Sequence, residues 1–230
     1  MNRTLRVMLV IVAAVAVIGV GVFLYLTRDI AAPSADISAS VQAVEVAADN
    51  AAAVFQIEPA GTTAEYNIYE LLNGEDKTVV GTTNQVAGEI ALNLSDLALS
   101  QIGELRINAR TFATDNSRRD NAVARFVLQS EAAANEFIVF QPTQISGLAG
   151  SASVGDTVQF SITGDLTIVG VTQSVTFDVT ATLNSAEQLT GRAETTISRA
   201  DFSLRVPDVP FVANVADDVT LRLTFTASAA

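Results

Sequence analysis

Between Val158 and Thr182 the chain alternates apolar and polar residues with a period of two, and only an extended strand sorts such a pattern onto two faces. Val158, Phe160, Ile162, Leu166 and Ile168 share one face with Gly164 in phase, while Gln159, Ser161, Thr163, Asp165 and Thr167 share the other. After a break at Val169-Gly170-Val171 the alternation resumes as Val175, Phe177, Val179 and Ala181 against Thr176, Asp178, Thr180 and Thr182. Two strands joined this closely form an antiparallel hairpin. The last strand repeats the pattern, with Val219, Leu221, Leu223, Phe225 and Ala227 opposed by Thr220, Arg222, Thr224 and Thr226. Weaker alternation predicts strands at residues 62–72, 79–94, 104–111, 137–145 and 188–197. Residues 117–130 read instead as a short helix, capped by Asn116 or Ser117 and apolar at Ala122, Val123, Phe126 and Val127. About eight strands and one small helix, without an internal repeat, imply a β-sandwich or a closed barrel.

The N-terminus obeys a different rule. Residues 7–26 form an uncharged apolar run, and twenty residues at about 1.5 Å each match the roughly 30 Å hydrocarbon core of a bilayer. Arg3, Arg6 and the terminal amine precede the run, while Arg28 is offset at once by Asp29. The positive-inside bias therefore expects a single-pass span in the cell membrane, with a cytoplasmic N-terminus and an extracytoplasmic domain, periplasmic or at the cell surface. A cleaved signal peptide is the alternative, since small residues follow at 31–35, although signal cores run only about 7–15 residues. The expected organisation is a cytoplasmic tip and anchor at 1–26, a flexible tether at 27–52 with some helix near 41–48, and a β-barrel domain at 53–230.

All 25 acidic residues follow residue 26, against 11 of the 13 basic ones, so the exported part carries −14. Such a surface repels phosphate backbones and excludes nucleic acid as a partner; its plainest role is solubility. The chain lacks Cys and His, which removes disulfides, thiolate chemistry, the commonest general base and the usual transition-metal ligand. No Gly-rich phosphate loop occurs, no carboxylate pair stands out by spacing, and Asp115-Asn116 is a poor start for a Ca²⁺ loop. These readings point away from an enzyme, and neither cofactor nor metal is expected.

Four segments resemble the YceI-like, polyisoprenoid-binding domains of bacteria. They are IEPAGTTAEY at 57–66, Arg119-Asp120 opening the helix, GDLTIVGVTQSVTFDV at 164–179 and TTISRADFSL at 195–204, in a match running from about residue 55 to 227. The resemblance implies a lipocalin-like, eight-stranded antiparallel barrel whose apolar tunnel holds an isoprenoid chain, such as a quinone or polyprenyl tail. Two histidines usual in the family are replaced by Gly61 and Val169, so no headgroup or metal role attached to them carries over.

An eight-stranded barrel either fills its interior with side chains or holds one small ligand. Phenylalanine supplies 11 of the 14 aromatics, and the expected ligand-binding set is Phe126, Phe137, Phe140, Phe160, Ile162, Leu166, Phe177, Val179, Phe202 and Phe225. Arg119 with Asp120, and Arg199 with Asp201, are expected as ion pairs, while Arg110, Arg118 or Arg125 are placed to meet a polar headgroup. Pro207 and Pro210 mark a loop expected at the mouth, and Asp217-Asp218 a solvated turn. The sequence thus supports a membrane-anchored binding protein for an isoprenoid lipid or quinone. The alternative is a structural or adhesive surface domain with a filled barrel, and a homodimer stays open.

Overall fold

The alternating segments form strands in the computed structural model, which describes residues 30–34, 36–46, 50 and 52–230. The expected membrane span at 7–26 lies outside the described residues. The chain divides into two units, Met1–Ala31 and Ala32–Ala230, and every strand among the described residues belongs to the second. The strands are β1 (Ala53–Ile57), β2 (Thr63–Leu72), β3 (Glu75–Thr83), β4 (Val86–Ala87), β5 (Glu89–Leu92), β6 (Gln101–Ile102) and β7 (Leu105–Asn108). They continue as β8 (Phe137–Ser146), β9 (Thr157–Ile168), β10 (Val171–Ser185), β11 (Gln188–Ser198), β12 (Val212–Ala213) and β13 (Asp218–Ala229). Among the described residues one short α-helix, α1 (Ser117–Ala122), is capped by the Asn116 side chain and runs into a π-turn at Val123–Val127.

The β9–β10 hairpin keeps its register from Val171↔Ile168 to Thr182↔Thr157. Its turn residues Val169 and Gly170 both have positive φ, 49° and 72°, the mark of a type I′ turn. On the outer face, hydroxyl pairs at 2.8 Å join Thr163 to Thr176 and Thr167 to Thr172. A slip of one residue would break these pairs and turn the apolar face outward, so both faces specify the register.

β7 through β11 pair in order with β8, β9 and β10 between them, and β11 then pairs with β13. β13 is shared: Val219–Thr224 pair with β2, whereas Ala227–Ala229 pair with β1. β3, β4 and β5 follow one another closely yet pair with β2, β7 and β1 respectively. These changes of partner curl the antiparallel sheet back on itself. They also explain why the single strand predicted at 79–94 is three segments, broken at Asn84-Gln85 and at Gly88. The strand predicted at 104–111 stops at Asn108, whose side chain accepts from the Arg110 N–H and turns the chain into a 3-10 turn.

Four glycines lie beneath side chains of neighbouring segments. A Cβ on Gly81 would come within 2.2 Å of the Tyr66 ring, on Gly88 within 2.3 Å of Leu105, on Gly164 within 2.7 Å of Phe140, and on Gly191 within 2.5 Å of Phe225. Each glycine lets the larger side chain lie flat against the wall.

Two apolar clusters fill the interior at different levels. One gathers Phe55, Ile57, Ile90, Leu92, Leu183 and Phe225; the other gathers Phe140, Ile162, Leu166, Ile197, Phe202 and Val219. Phe160, Leu105 and Leu223 pack against both.

The stretch expected as a flexible tether is docked where it is described. Ile37 is 3 % exposed, and the Val44 side chain sits over Gly103. The Ser34 N–H donates to Glu136 at 2.7 Å, Arg110 donates to the Ala32 carbonyl at 3.0 Å, and the Val44 N–H donates to Glu89 at 2.8 Å. Side chains of the barrel thus satisfy both N–H and carbonyl groups of this segment. Residues 41–46 are not helical, and 47–48 of the helical stretch expected there lie outside the described residues.

Candidate functional site

The second cluster borders a cavity of about 590 Å³. Its walls follow from strand periodicity. On β2 the residues of one parity, Ala64, Tyr66, Ile68, Glu70 and Leu72, all line it. Other strands contribute Ile138 and Phe140 from β8, Leu166 and Ile168 from β9, Phe177 from β10, Ile197 from β11, and Val219 and Leu221 from β13. The rings of Phe140 and Phe177 meet edge-on at 5.1 Å, a geometry that favours aromatic pairs. Val123, Phe126 and Val127 of the helical segment line it too, as do Pro207 and Val209 of the Pro207–Pro210 loop, with Phe211 just beyond. Phe126, Val209 and Phe211 are exposed, Phe211 at 60 %, and these apolar side chains rim the mouth.

Of the predicted site residues, Phe126, Phe140, Ile162, Leu166 and Phe177 line this cavity. Phe160, Ile162, Val179 and Phe225 line a second one of about 70 Å³ at the level of the first cluster. Phe137 and Phe202 line neither. Phe137 packs against the Arg106 guanidinium, 5.6 Å from its ring centroid, while Phe202 is 2 % exposed in a 3-10 turn and serves as core. Gly61 and Val169 also stand outside both linings.

The polar groups of the wall mostly engage one another. Glu70, at 8 % side-chain exposure, pairs with Arg119 at 3.3 Å, and Arg119 also holds Asp115, which pairs in turn with Lys77. Hydrogen bonds from Lys77 and then Arg119 hold the Asp115 carboxyl below its usual range. The expected Arg119–Asp120 pair does not form: Asp120 accepts from the N–H and hydroxyl of Thr114 instead. Nor does Arg199 pair with Asp201; it donates to the carbonyls of Leu204 and Ala216. Asp217 and Asp218 are exposed, as a solvated turn requires, and Asp217 also accepts from the Ser198 hydroxyl and the Ala200 N–H. Arg110 and Arg125 are buried in pairs with Glu136 and Glu131, while Arg118 alone of the three lines the cavity and is exposed.

Tyr66 is the exception among the wall groups. Its hydroxyl is buried without a protein partner. Burial first, and then the nearby Asp120, push its pKa up to about 12, so it stays a neutral phenol. With the carboxylates engaged, the wall offers an apolar chain dispersion contacts and exclusion of water, and it presents no base poised beside a nucleophile.

The sequence model of the YceI-like domain family matches residues 55–227. Among solved structures, the fold is similar to that of BcnA from Burkholderia cenocepacia, with a TM-score of 0.58 and 18 % identity, covering 74 % of this chain and 98 % of that one. It is also similar to a polyisoprenoid-binding domain from Saccharophagus degradans, with a TM-score of 0.58 and 12 % identity, covering 78 % of this chain and 99 % of that one. No curated protein matches the sequence.

Proposed function

This chain belongs to the YceI-like domain family, and from that premise we propose that it is a membrane-anchored, extracytoplasmic binding protein that holds an isoprenoid lipid in its apolar lumen. The observation that carries the reading is the cavity of about 590 Å³ bounded by side chains from β2, from each of β7 to β11 and from β13. That volume lies within the roughly 300–1,000 Å³ of small-molecule sites, and its few polar groups largely engage each other. An isoprenoid tail has no hydrogen-bonding capacity and asks only for such a wall. Each buried methylene contributes about 0.8 kcal/mol, so a chain rather than a headgroup supplies most of the affinity. The polyisoprenoid-binding domain of similar fold supports the ligand class. The apolar run at 7–26 behind Arg3 and Arg6 supports anchoring with the domain outside.

An organic extract of the purified, anchor-free domain tests the reading by mass spectrometry. The expected result is a stoichiometric lipid with an isoprenoid chain, quinone or polyprenyl. An extract without lipid, together with no uptake of added prenols, would favour the adhesive, filled-barrel reading. An intact mass of the membrane-extracted protein that retains residues 1–26 distinguishes an anchor from a cleaved signal.

A further inference from the structure

The lumen has a floor at a definite level. Along β9, inward residues Val158 and Phe160 face the small cavity, Leu166 and Ile168 face the large one, and Ile162 touches both. Along β13, Phe225 faces the small cavity, Leu221 and Val219 the large one, and Leu223 both. Along β11 the order is Leu189, then Ala193 touching both, then Ile197. Ala193 and Leu223 are register partners, so two strands place their shared residues side by side. Leu105 of β7 completes the set, held in place over Gly88. Four side chains from four strands thus border both cavities.

Resting on the lipid-binding reading, we infer that Leu105, Ile162, Ala193 and Leu223 form a stop that limits how much of an isoprenoid chain the lumen admits. Taking about 30 Å³ per heavy atom, the share one water claims in the liquid, 590 Å³ holds about twenty heavy atoms, or about four isoprene units. Additional units of a longer chain remain at the mouth, against Phe126, Val209 and Phe211. Leu105→Ala removes three carbons and joins the two cavities. The gain is the 70 Å³ of the small cavity plus about 90 Å³, which amounts to about one further isoprene unit. Ala193→Ile adds three carbons at the same level and shortens the lumen.

The test presents the full chain, in mild detergent, with an equimolar mixture of all-trans prenols from two to eight isoprene units, and native mass spectrometry reads which remain bound. For the unaltered chain, retention rises to about four units and is flat beyond. In Leu105→Ala the plateau moves about one unit longer, and in Ala193→Ile it moves shorter. A plateau unmoved in a folded Leu105→Ala, or movement of both variants in one direction, overturns the stop while leaving lipid binding intact. Should Leu105→Ala fail to fold, the direction of Ala193→Ile decides alone. Retention of no prenol by the unaltered chain overturns the binding reading and the stop with it.

Discussion

Replacing Glu136 tests how the segment before the first strand is secured. Its carboxylate accepts from the Ser34 N–H at 2.7 Å and from Asn108 at 3.1 Å, and it pairs with Arg110 at 2.9 Å. The paired side chains are only 8 % and 9 % exposed. Glu136→Ala strands a buried guanidinium and two donors, and breaking one side of a buried pair costs about 3–5 kcal/mol. Carbonyls of Ala32, Ser130 and Glu131 still accept from Arg110, which places the expected loss at the lower end, about 3 kcal/mol. Glu136→Gln keeps an acceptor but not the charge, and about 2 kcal/mol is expected. Burial alone would raise the Glu136 pKa, yet the bonds from Ser34 and Asn108 and the Arg110 charge together hold it below the usual value. Its stabilisation is therefore fully present above the unfolded pKa of about 4.3 and is lost as pH falls through the lower folded value. Urea unfolding of the anchor-free domain and its two variants, at pH 7 and in steps toward pH 3, measures both effects. Amide exchange at Ser34 reports the local release. A Glu136→Ala loss under 1 kcal/mol at pH 7, or a Glu136→Gln gap that does not narrow in acid, would refute the reasoning.

Three further substitutions probe the wall and the hairpin. Gly164→Ala places a methyl 2.5 Å from the Gln141 carbonyl and 2.7 Å from the Phe140 ring, so a loss of about 1–3 kcal/mol by urea unfolding and reduced prenol retention are expected. Tyr66→Phe removes a buried hydroxyl that has no protein partner, and stability at pH 7 should stay within about 1 kcal/mol or rise. A raised phenol pKa favours the fold only while the phenol is protonated; between pH 10 and about 12 the unaltered protein should lose about 2–3 kcal/mol that Tyr66→Phe keeps. Val169→Asn suits the left-handed first position of the type I′ turn, and a rise in melting temperature equivalent to about 1 kcal/mol is expected.

Strands with one apolar face were legible because a period of two survives wherever one side meets the interior, as in β9, β10 and β13. The same alternation marked Phe160, Phe177 and Phe225 as inward. Periodicity carries no information on height along the barrel, however. Only the register tells that Phe177 borders the large cavity, whereas Val179, two residues on, borders the small one. β2 read weakly because its inward row includes Tyr66 and Glu70, and Glu70 is admitted there by Arg119, 49 residues away. Arg110 and Glu136 are hidden for the same reason: what makes a charge tolerable in the interior is a distant partner. Phe202 shows the converse error, since an apolar residue in a loop segment reads equally well as rim or as core.

The four glycines beneath Tyr66, Leu105, Phe140 and Phe225 also bear on how such a barrel diverges. Its bore is encoded less by the large residues that line it than by the missing methyl groups behind them. Descendants of one ancestral barrel would therefore exchange narrow and wide lumens through glycine-to-alanine replacements in the sheet, with every lining residue unchanged. A comparison of relatives confined to the lining would overlook that variation, because the residues that set the bore are not among those that line it.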